Sequence, residues 1–139
     1  GARSRDKTRE TLRQAIAAFR DGRCIVVFPA GRMAKWDWRA FRLVEEDWQV
    51  TAVSLARKFG APIVPLGLKQ RMSLMFYGLG QIHEELKHMT VFHELLAKRG
   101  ARYALKFAAP VAPDDLPDGE GPATQALRGM SETLSREAR

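Results

Sequence analysis

Two short apolar runs constrain this chain more than any other feature. Residues 24–28 read CIVVF and residues 61–68 read APIVPLGL. Each is short for a helix and too continuous for a half-exposed strand, so each is predicted to be a strand buried on both faces. Between them, residues 48–59 carry apolar positions at helical spacing, with Ala52, Leu55 and Phe59 inward and Gly60 as the stop. Strands separated by helices predict an α/β fold, a mostly parallel sheet flanked by helices. Pro62 and Pro65 remove backbone donors, which places the second strand at a bend or near an edge.

The rest of the pattern fits one domain over 1–139. Ser4 opens a helix that runs through Arg20, with Leu12, Ala15, Ile16 and Phe19 on one face and Asp21-Gly22 at its end. Residues 29–46 show no clear period. A helical region covers 73–99, broken near Gly78 and Gly80. Tyr103, Leu105 and Phe107 alternate with Arg102, Ala104 and Lys106, a third strand over 102–108. Residues 109–122 form a loop leading to a last helix, 123–137, with Leu127, Met130 and Leu134 in one stripe.

Lys and Arg number 23 against 16 Asp and Glu, a formal charge of +7, so an anionic partner is expected. Nucleic acid, a phosphate ligand and an anionic membrane surface share that charge. No recognition-helix, zinc-finger or RNP pattern is present, and nucleic acid is not expected. The single cysteine, Cys24, opens an apolar run and reads as a buried small hydrophobe; it favours the cytosol. No signal peptide opens the chain, and no run approaches the ~18 residues of a spanning helix. Gly1, with no Met before it, reads as a trimmed start.

The motif that bears on chemistry is Phe28-Pro29-Ala30-Gly31. It sits at the carboxyl end of the first predicted strand, where open α/β sheets hold ligands. Pro29 fixes φ, and Gly31 lets the backbone approach a ligand. Arg32, Lys35, Arg39 and Arg42 follow at once. They fit a solvated face, an anion site, or contact with lipid headgroups. Trp36 and Trp38 stand among these cations and suit either a core or a membrane interface; Trp48 carries the same ambiguity. His83, His88 and His93 recur every fifth residue, about 140° apart on a helix, so they share no metal-binding face. They read as structural or exposed. Phe76–Leu79 reads as core.

IVVFPAG followed by a helix and then ARKFGAPIVPLGL resembles the glycerolipid acyltransferase family, which includes lysophosphatidic acid and glycerol-3-phosphate acyltransferases. Phe28-Pro29-Ala30-Gly31 is similar to the family's Phe-Pro-Glu-Gly block, and Ala61–Leu66 to its Val-Pro-Ile-Val-Pro-Val block. RMSLMFYGLG, 71–80, and APVAP, 109–113, resemble the bacterial lyso-ornithine-lipid and hemolysin-like branch. The resemblance implies transfer of an acyl chain from acyl-CoA or acyl carrier protein to a lysolipid, with no metal and no covalent enzyme intermediate. The family's general base is a His followed by four residues and an Asp. None of the three histidines here has an Asp five positions on, and all lie downstream of both blocks. The chain therefore resembles the C-terminal part of such a domain, with no catalytic residue of its own and Ala30 in place of the block's Glu.

Carried over residue by residue, the resemblance implies acceptor or phosphate binding at Phe28, Pro29, Gly31, Arg32 and Lys35. It places Ile63, Val64 and Pro65 on the second block's strand. Trp36 and Trp38 would meet the membrane, with the protein cytoplasmic and peripheral on its inner face. A non-catalytic protein that binds lipid or an anionic membrane is the alternative; a nucleic-acid-binding module has only the charge to support it.

Overall fold

The fold was read from a computed structural model that describes residues 2–31, 34–37, 39–68, 93 and 96–138. The predicted helix over 73–99 lies outside these, except at residues 93 and 96–99.

The first helix, α1, spans Ala2–Arg20. A second, α2, spans Thr51–Phe59, and a third, α3, spans Glu120–Glu137. Both α1 and α2 end as a glycine-rich stop predicts. Gly22 and Gly60 take left-handed φ values of 66° and 59°. In α2, the Gly60 N–H donates to the Arg57 carbonyl at 3.4 Å and the Ala61 N–H to the Ala56 carbonyl at 2.9 Å. These two reversed bonds cap carbonyls that have no partner within the helix. An L side chain is strained in that region, so Gly60→Ala is expected to cost about 1 kcal/mol. Urea unfolding would register it as a lower midpoint at unchanged slope.

The predicted mostly parallel sheet is not what forms. Among the described residues, two separate antiparallel ribbons take its place. The strands β1 (Lys35–Asp37) and β2 (Arg42–Val44) make a hairpin inside the stretch that sequence left unassigned. Its turn is held by the Asp37 carboxylate, whose Oδ1 accepts the Arg39 N–H at 2.8 Å and the Ala40 N–H at 3.1 Å. Phe41 closes the turn with φ of 49°. The strands β3 (Leu66–Leu68) and β4 (Leu105–Phe107) make the other ribbon, with Leu66 opposite Phe107 and Leu68 opposite Leu105. Ile63 and Val111 extend it by exchanging both backbone bonds, at 2.9 and 2.8 Å. Between that bridge and the Leu66 rung the second chain segment has one residue more than the first, a bulge at Ala109-Pro110. Pro65 accepts the Ala108 N–H at 2.9 Å and has no N–H to return, so that rung has half its bonds.

The physical reason for the correction lies in how the ribbon is covered. A parallel sheet needs helices on both faces. Here α3 packs on one face of the β3–β4 ribbon, and the opposite face meets solvent, the arrangement an antiparallel pair tolerates. Residues 24–28 join no strand at all. Cys24 is exposed, not buried, and so are Val26, Val27 and Phe28.

The core lies between α2 and α3. Val53, Leu116, Ala123 and Leu127 form its centre, with Trp48, Ile63 and Val111 packed against it. The buried residues of α2 are Val53 and Ala56; the predicted inward face of Ala52, Leu55 and Phe59 is half-buried. Phe59 instead stacks on Phe19 of α1, ring centroids 5.0 Å apart. A short 3-10 turn, Pro113–Asp115, carries the chain towards α3, and the Arg57 guanidinium donates to the Pro117 carbonyl at 2.7 Å. At Gly67 the ribbon touches α3 so closely that a Cβ there would lie 2.5 Å from Leu134.

Candidate functional site

Phe28-Pro29-Ala30-Gly31 forms a tight turn, closed by the Gly31 N–H donating to the Phe28 carbonyl at 3.0 Å. Pro at the second position and Gly at the fourth are the residues a type I turn favours. Ala30 keeps a negative φ, which excludes type II, and Gly31 then swings to φ of 64°. A Cβ added at Gly31 would meet nothing within 4 Å. The glycine therefore serves the backbone angle; no crowding from the protein's own atoms requires it. The turn does not end a buried strand, because Phe28 is 81% exposed.

A backbone bond ties the turn to the entry of α2. The Pro29 carbonyl accepts the Gln49 N–H at 3.0 Å, two residues before α2 begins. The neighbouring Trp48 packs on the core and donates its indole N–H to Glu45 at 3.3 Å. Ile63 packs on that same core. Through Gln49 and Trp48 the turn is thus connected to the core on which the second block's Ile63 packs. Gln49 escaped the sequence reading because it acts through its backbone, which no side-chain pattern reports.

The other predicted site residues divide as follows. Lys35 and Trp36 lie on β1. Arg32 and Trp38 fall outside the described residues, as do His83, His88 and the Phe76–Leu79 segment. Val64 is exposed and Pro65 buried. Arg39 and Arg42 are exposed on the hairpin, and His93 is exposed on a helical turn. An open depression of about 710 Å³ lies elsewhere, lined by Ala104, Lys106, Arg136, Glu137 and Ala138. It contains none of the predicted site residues. Among the described residues no group of His, Cys, Asp or Glu could hold a metal ion.

No protein-family model, curated protein or solved structure matches the chain. Function must be argued from its own residues. Among the described residues no helix is long and apolar enough to cross a membrane.

Proposed function

We propose that this chain supplies the acceptor side of a glycerolipid acyltransferase. An acyl group would pass from acyl-CoA or acyl carrier protein to a lysolipid at the cytoplasmic face of a membrane. The observation that supports this most is the order and linkage of the two blocks. A Pro/Gly turn at Phe28–Gly31 is bonded to the entry of α2, and α2 leads through Gly60 into the proline-bounded segment that carries Ile63 and Pro65. In the reaction, a base removes the acceptor hydroxyl proton, and the oxygen attacks the thioester carbonyl. The carbon–sulfur bond breaks, and the thiolate leaves with a proton. Arg32 is the residue proposed to hold the acceptor phosphate, because a guanidinium can make two parallel bonds to it.

The test measures thiol release with lysophospholipid acceptors. The 139-residue chain, which has no His followed five positions on by Asp, is expected to show none. Preceded by a segment that supplies that motif, it is expected to turn over. Arg32→Ala should then raise the acceptor KM by about tenfold to a hundredfold, the loss of a charge-assisted bond, with the donor KM unchanged. A rise in the donor KM instead would assign Arg32 to the carrier phosphate. No change in either would make it solvated surface.

A second reading, lipid binding without catalysis, is favoured by one specific observation: the apolar ribbon face left open to solvent.

A further inference from the structure

The alternation of β3 and β4 sorts their side chains onto two faces. Gly67 and Lys106 face α3: the glycine abuts Leu134, and the Lys106 ammonium pairs with Glu137 at 3.0 Å. By the same alternation, Leu66, Leu68, Leu105 and Phe107 share the opposite face, flanked by Val64 and Tyr103 where the chain enters the two strands. Five of these six are exposed, Phe107 at 64%. Apolar side chains side by side on a two-stranded ribbon are a patch, unlike scattered surface leucines.

We infer that this face is the part of the protein that enters an anionic lipid surface. The choice of occupant rests on charge and on the polarity of the strip. From Leu96 to Pro113 the sequence has no acidic residue, and Lys98, Arg99 and Arg102 precede β4. Arg99 and Arg102 are exposed where the chain enters β4. Cations beside an apolar strip match anionic headgroups above hydrocarbon. The Tyr103 hydroxyl is the one side-chain polar group on the strip and stands at the same end as the arginines, so the strip offers almost nothing for the hydrogen bonds of a protein interface. A second copy would bring two chains of charge +7 together, with Arg99 and Arg102 beside the contact. The inference rests on the membrane part of the proposed function and names the ribbon as a face that meets the bilayer.

The test uses the whole chain with its single cysteine removed, Cys24→Ser, and an environment-sensitive fluorophore attached at Phe107→Cys or, as a control on the outer side of α3, at Gln125→Cys. Vesicles are phosphatidylcholine with or without phosphatidylglycerol. The expected result is a blue shift for the label at 107 only, requiring phosphatidylglycerol and reversed near 1 M salt, where the field reaches roughly 3 Å. In the unlabelled chain, Leu105→Ser with Phe107→Ser should weaken vesicle binding on the order of tenfold or more, at an unchanged melting temperature. Binding that leaves the label at 107 in water overturns the face and leaves the anionic-lipid reading standing. Absence of binding overturns both. A shift that follows protein concentration without vesicles assigns the face to a second copy and overturns the proposal. Thiol release tests the catalytic reading separately.

Discussion

Gly67→Val is expected to cost about 3 kcal/mol or more, the upper end for overpacking a close contact. A Cβ at this position would overlap Leu134 and the Ser135 backbone nitrogen. The obstruction includes helix backbone, so no rotamer change can relieve it. Either α3 moves away from the ribbon or β3 loses its pairing with β4. Both outcomes expose the core, because α3 also contributes Ala123 and Leu127 to it. A domain of this size is stable by roughly 5–15 kcal/mol, so the variant should unfold at clearly lower urea. An unchanged midpoint would mean that β3 and α3 are not in contact in solution.

Leu127→Ala is expected to cost about 3 kcal/mol, within the range for emptying a buried leucine site. Leu127 is 5% exposed in the cluster with Val53, Leu116 and Ala123. Leu105 provides the internal control. It is also an apolar residue in a regular element, yet 51% exposed. Leu105→Ala should stay within about 0.5 kcal/mol of the parent. Equal losses at the two sites would show that the ribbon face is buried in solution, and would bear directly on what covers it.

The helices α1, α2 and α3 were legible because their signals are local. Gly22 and Gly60 stop α1 and α2, and Leu127 marks the inner face of α3. The alternation also holds at 105–107, since Lys106 turns to α3 and Leu105 away from it, although the strand is shorter than the expected 102–108. Strand partners were not legible. The run CIVVF has the composition of a buried strand, but burial needs a partner, and composition names none. Likewise, an apolar run such as 61–68 reads the same in a parallel and an antiparallel pair. Pro65 held the clue: a residue with no N–H suits a rung that loses one bond. At the candidate site, the turn at Phe28–Gly31 followed from its Pro and Gly. Its tie to Gln49 did not, because a backbone bond leaves no trace in residue identity.

The rung joining Leu68 to Leu105 also has a kinetic consequence. It joins residues far apart in sequence, and the core gathers residues from Trp48 to Leu127. Loop-closure entropy grows only with the logarithm of length, about 0.6 kcal/mol for each doubling. The closure must precede the packing that rewards it, so this non-local pairing is expected to slow folding relative to a chain of local contacts alone. Helix α1, with local bonds of its own, can form long before the ribbon does.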